Sequence, residues 1–137
     1  MPPTPHPSGY AHITDDNNRL LLLKEDGGRW RLPGGPAIAG ESARDATTYY
    51  VRRDLRIRVT PRFVLDMDLQ GARTAYLFAC GTLLPDEAAQ IKLPCSVSST
   101  VVAWAFTDPA DLVDHIAPDE TRLLRTAIRV LKGTDRA

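Results

Sequence analysis

Lysine is nearly missing from this chain: among 17 basic residues only Lys24, Lys92 and Lys132 are lysines, and the others are arginine. That bias points to a GC-rich, bacterial genome more than to a function. Charge of one sign is lacking too, since the formal net charge is zero. Zero net charge excludes a molecule that binds nucleic acid or a membrane surface through its overall field. Cysteine appears only as Cys80 and Cys95, too few for a disulfide scaffold and without zinc-site spacing. Both are expected to be small buried side chains in a reducing, cytoplasmic compartment. No run approaches the roughly 18 apolar residues of a membrane-spanning helix. The opening MPPTPHPSGY has no apolar core, so no secretory signal is expected. His6, His12 and His115 are scattered without ligand spacing, and no nucleophile-elbow pattern occurs.

What is present fits one α/β domain. The 137 residues suffice for a hydrophobic core without staples. Residues 1–9 read as a flexible proline-rich arm and 10–137 as a single domain. Residues 10–13 and 19–23 read as short strands about a polar turn, and Gly27-Gly28 marks another turn before Trp30-Arg31-Leu32. Pro33-Gly34-Gly35-Pro36 interrupts regular structure and opens a loop to Gly40. The spacing then predicts a helix over 42–55 with Ala43, Ala46, Thr47, Val51 and Leu55 as its buried stripe. Residues 57–69 read as a strand bent at Pro61, with a hairpin turn at 70–73 leading to a strand over 74–83. A polar loop over 85–94 holds one helical turn. TVVAWAF, 100–106, is a continuous apolar run that suggests a central strand. Residues 108–113 suggest a short helix, and 118–131 a longer one on Leu123, Leu124, Ala127, Ile128 and Leu131.

The stretch GGPAIAGESARDATTYYVRRDLRI, 34–57, carries the chemistry. Gly34 and Gly35 let backbone approach a ligand closely, and the following helix offers its free N–H groups to an anion. Carboxylates at i, i+3 and i+4 of such a helix would share one face and could hold a divalent ion against a diphosphate.

Leu-Pro-Gly-Gly followed by Glu41 resembles the box of the Nudix hydrolases, G-x5-E-x7-R-E-U-x-E-E-x-G-U with U a bulky aliphatic residue. Gly35, Glu41, Val51 and Ile57 stand in register. The runs at 75–78 and around Trp104 and the closing helix are similar as well, so the resemblance covers about 10–131. It implies a Nudix-type α/β/α sandwich with a mixed β-sheet, a diphosphate or nucleotide-like ligand, and often a homodimer.

Other box positions differ. Tyr49-Tyr50 stands for Arg-Glu, Arg53-Asp54 for Glu-Glu, and Arg56 for Gly. Of the acids that the resemblance assigns to magnesium at 50, 53 and 54, only Asp54 is left, with Arg53 beside it. A guanidinium a few ångströms from a divalent ion is repelled by several kcal/mol at an effective dielectric near 20. Standard metal-dependent pyrophosphohydrolysis is therefore expected to be lost or weak, with no cofactor. Arg53 and Arg52, with Gly34 and Gly35, are the candidate phosphate-binding residues; two solvated helix arginines are the plainer reading. Asp54 and Glu41 are the candidate catalytic acids, although Glu41 could equally complement the helix dipole. Tyr50 and Trp30 are candidate substrate contacts or simply packing, as is Tyr49.

Two alternatives stay open. In the first, an active pyrophosphohydrolase holds Mg2+ or Mn2+ through Asp54 and acids from outside the box: Asp66, Asp68, Asp86 or Glu87. Residues 96–100 carry no acid where the family often has one. In the second, the chain is an RNA- or protein-binding module using the arginines at 44, 52, 53, 56, 58 and 62; no aromatics interleave those from 52 to 62, so nucleic acid is not the expected partner.

Overall fold

Four consecutive leucines, Leu20 to Leu23, have almost no solvent exposure, which requires a strand covered on both faces. The computed structural model describes residues 6–70, 73–93, 100–108, 123, 125–127 and 129. Its elements in chain order are β1 (Ser8–Asp15), β2 (Leu20–Glu25), β3 (Trp30–Arg31), β4 (Gly34–Pro36), α1 (Ala43–Leu55), β5 (Val64–Gln70), β6 (Arg73–Leu83), α2 (Pro85–Ala88) and β7 (Val101–Thr107). The strands form one mixed sheet along β3-β2-β1-β6-β5, with β4 also on β1 and β7 on β2. β1 is its hub, antiparallel to β2 and β4 and parallel to β6.

Alternation along β1 and β2 sorts the core into two layers. Ala11, Ile13, Leu21 and Leu23 join Val51 and Leu55 of α1 in one cluster. Leu20, Leu22, Ala75 and Leu77 join Leu123 and Ala127 in the other. Residues 123, 125–127 and 129 are helical, so one helix covers each face. This is the α/β/α sandwich with a mixed sheet.

α1 starts on Ser42, whose hydroxyl accepts from Asp45 N at 3.1 Å. Its buried residues are the expected stripe with one addition, Asp54. It ends on Arg56 in the left-handed conformation at φ 57° and ψ 32°, with Arg56 N donating to Arg52 O. A non-glycine residue there costs about 1–2 kcal/mol.

Four expectations are corrected. Gly34–Pro36 is not loop but strand, laddered on Ser8, Gly9 and Tyr10. Ser8 and Gly9 accordingly belong to β1 and not to an arm; residues 1–5 lie outside the described residues. The strand proposed from 57 begins only at Val64, because Arg44 ties the carbonyls of Pro61 and Arg62 to α1 and Pro61 has no N–H to pair. β7 is no central strand: among the described residues it pairs with β2 alone. The hairpin at 70–73 forms, Gln70 pairing with Arg73, and the helical turn falls at Pro85–Ala88. The short helix at 108–113 and Cys95 fall outside the described residues. Cys80 is partly buried against the α1-side cluster, and burial pushes its thiol up to about 12.

His12 joins the sheet to the C-terminal helical residues. Its Nε2–H donates to Ala127 O at 3.1 Å, and burial lowers its pKa below the usual 6.5. The unfolded chain therefore takes up this proton at higher pH than the folded one. Stability should fall as pH drops through about 6.5, by at most about 1.4 kcal/mol per pH unit, and level off below the folded pKa. Urea midpoints at stepped pH check this: the slope should flatten in His12→Gln.

Candidate functional site

The helix and the glycine segment meet where β4 lies beside α1. Gly35 is there for space, since a Cβ would sit 2.9 Å from ring atoms of Tyr50. The Tyr50 ring thus covers the segment, and its hydroxyl donates to Pro36 O at 2.7 Å. Burial, the leading cause, raises the Tyr50 pKa, so the phenol stays a donor. Gly34 has φ 140°, and a Cβ on it would overlap Gly9 O. Both glycines are buried. Glu41 accepts from Ile38 N at 3.2 Å, bracing the turn ahead of the helix.

Four charged side chains run as a chain beneath this cover. Asp54 has no solvent exposure. Arg53 Nε donates to its Oδ1 at 2.9 Å and Nη2 to its Oδ2 at 3.4 Å. From β3, Arg31 Nη2 approaches the same Oδ2 at 3.6 Å. Arg31 also pairs with Glu25 at 2.7 Å and donates to the carbonyls of Leu32 at 3.1 Å and Gly34 at 3.3 Å. Two acids and two guanidiniums balance in charge. Burial alone would lower the Arg53 pKa, but the hydrogen bond and charge of Asp54 raise it, leaving a fixed cation. That guanidinium lies 4.7 Å over the Tyr50 ring, a favourable cation–π distance. An open depression of about 450 Å³ adjoins it, lined by Asp45, Thr48, Tyr49, Arg52 and Arg53.

The structure thus gathers Asp54, Arg53, Tyr50, Gly34 and Gly35, with Arg52 exposed next to them and Glu41 at the helix entrance. It does not bring Trp30 to this group; that ring packs on the opposite layer with Leu20 and Leu22. Nor does it bring the acids from outside the box together. Asp66 accepts from Thr126 at 2.6 Å, toward the C-terminal helix, and Glu87 caps α2 through Leu84 N. Arg44 of the basic stretch is committed to backbone carbonyls, and its guanidinium lies 5.1 Å over the Phe78 ring. Sequence reasoning missed Glu25 and Arg31. The Gly27-Gly28 turn was their signal: it folds β3 onto β2, pairing Leu23 with Arg31 and bringing Glu25 within reach.

No family model and no curated protein matches this chain. Solved structures do. The MutT protein of Methanosarcina mazei superposes over 100% of both chains at a TM-score of 0.74 and 17% identity. An ADP-ribose pyrophosphatase from Streptococcus suis matches 98% of this chain and 94% of its own at 0.70 and 19%. A MutT Nudix hydrolase from Burkholderia pseudomallei matches 90% and 98% at 0.70 and 19%. The fold is the Nudix fold. None of the described helices is long and apolar enough to cross a membrane.

Proposed function

We propose that this chain is a Nudix-superfamily protein that binds a diphosphate-containing or nucleotide-like ligand without metal, its standard pyrophosphohydrolysis being lost or weak. The carrying observation is the state of Asp54: wholly buried, with Arg53 and Arg31 at its oxygens. A divalent ion does not fit there. It would have to displace two guanidiniums, and among the described residues no group of three or more His, Cys, Asp or Glu side chains could hold one. Separation of Asp66 from Asp54 across the sheet speaks against displaced ligands.

The anion would instead meet resident cations. Arg53 spends its Nε edge on Asp54, which leaves Nη1–H donors for a phosphate. Exposed Arg52 adds charge beside it, and Tyr49 supplies a half-exposed ring at the rim of the depression. The ADP-ribose pyrophosphatase among the similar folds supports a nucleoside diphosphate derivative as the ligand class.

Phosphate release from a panel of such derivatives, with Mg2+, Mn2+ or EDTA, tests this together with thermal shifts. The expected result is no release above buffer and a ligand-induced rise in melting temperature that persists in EDTA. Arg53→Ala should weaken that binding about tenfold or more, the scale of a lost charge-assisted hydrogen bond. Metal-dependent turnover that Asp54→Asn abolishes would sink the proposal.

A further inference from the structure

The depression on α1 has an order along its length. Asp45, Tyr49 and Arg53 line it at four-residue steps, with Thr48 and Arg52 each one place before the latter two. Positions i, i+4 and i+8 stand one above another on a helix. An acid, an aromatic ring and two guanidiniums therefore succeed one another over about 12 Å at 1.5 Å per residue. Asp45 and Arg52 are exposed, and Tyr49 is 49% exposed. The Tyr49 ring is braced by its neighbour: it meets Tyr50 edge to face, 5.1 Å between centroids and 77° between planes. Tyr50 is itself fixed by its bond to Pro36 O and by Arg53 over its ring. The volume of about 450 Å³ lies within the range of small-molecule sites.

We propose that Tyr49 and Asp45 read the base of the ligand, and that this base is guanine. The inference rests on the proposed function, in which a diphosphate is held at Arg53 and Arg52. With the phosphates at that end, sugar and base extend toward the N-terminal end of α1. The base then lies over Tyr49, and stacking on a tyrosine ring suits any base. Its edge furthest from the sugar reaches Asp45. A carboxylate has two oxygens and only accepts, so it selects an edge with two adjacent N–H donors. Guanine presents that pair, N1–H and the N2 amino group. Adenine, cytosine and uracil each set an acceptor beside their donor, and its lone pair would face the carboxylate. Thr48 gives its hydroxyl proton to Arg44 O at 3.3 Å, which leaves its oxygen as a further acceptor.

Calorimetry on the full-length chain in EDTA, with the diphosphates of guanosine, inosine and adenosine and with inorganic diphosphate, tests this. Guanosine diphosphate should bind most tightly. The inosine compound lacks the N2 amino group and should bind about three- to tenfold more weakly, the adenosine compound about tenfold. Inorganic diphosphate, with no base to stack, should be the weakest. Asp45→Asn offers one acceptor and one donor, which suits adenine, so it should reverse the order of the guanosine and adenosine compounds. A structural role for Asp45 would not move that order. Tyr49→Ala should bring all three nucleotides toward inorganic diphosphate. Asp45 and Tyr49 are exposed, so the fold should persist, and a melting curve verifies that. Equal affinity for the guanosine and adenosine compounds, an order that survives Asp45→Asn, or nucleotides no tighter than inorganic diphosphate would each overturn the assignment and leave the proposed function standing. Binding of none of the four would overturn both.

Discussion

Asp54→Ala should lose about 3–5 kcal/mol of folding free energy, the scale on which one partner of a buried ion pair is missed. The carboxylate is fully buried with Arg53 at 2.9 Å and Arg31 at 3.6 Å. Without it two guanidiniums, 24% and 12% exposed, face one remaining acid, Glu25. Their desolvation persists while the attraction that offset it is gone. Asp54→Asn keeps the shape and should lose less, since its amide can still accept one bond from Arg53. Urea denaturation read by circular dichroism measures both. A metal-binding carboxylate would behave in the opposite way, because an acid held among acids repels them when the ion is absent. Its removal would abolish turnover and leave stability equal or higher. Unchanged stability in Asp54→Ala would therefore remove the main support for a metal-free site.

Gly9→Ala should be strongly damaging although it adds only one methyl group. Alanine for glycine inside a strand normally stabilises by reducing the freedom of the unfolded chain, about 0.4–1 kcal/mol. Here a Cβ would overlap the carbonyl of Ala43 and the hydroxyl of Thr47 on α1. A rotamer change can move the hydroxyl, but the carbonyl belongs to the first turn of the helix. α1 must then back away from β1, at about 3 kcal/mol or more for overpacking of this kind. Combining it with Thr47→Ala should recover only a minor part. The readout is the melting temperature of the single and double variants. Retreat of α1 would also separate Tyr50 from Pro36 and Arg53 from the segment it faces, so ligand binding should fall with stability. A variant as stable as the parent would show that α1 and β1 are not as close as described.

Much of this arrangement could be read along the chain. The stripe Ala43, Ala46, Thr47, Val51 and Leu55 obeys the helical period, and all five are buried. The hairpin at 70–73 follows from its turn residues. Leu-Pro-Gly-Gly with Glu41 brought the family resemblance, and the arrangement of layers agrees with it. Three features resisted such reading. Gly34–Pro36 looks like a loop by composition but pairs with β1 because the close approach of Gly9 and Gly34 admits no side chain. TVVAWAF looks doubly covered, yet among the described residues it pairs with β2 alone, since apolar content does not distinguish one neighbour from two. Asp54 stands outside the apolar stripe that the spacing predicts, whereas it is buried together with it.

Local order therefore follows from residue type and spacing. Helical period, turn chemistry and two-sided leucine burial act over a few residues, and backbone geometry reads them directly. The partners of Asp54 do not follow in that way. Arg31 lies far from it in the chain and reaches it only because β3 pairs with β2 while α1 packs on the same sheet. Charge neutralisation at that point is a property of distances between elements. What surrounds a lone aspartate was decided there, by two guanidiniums held within 4 Å of it.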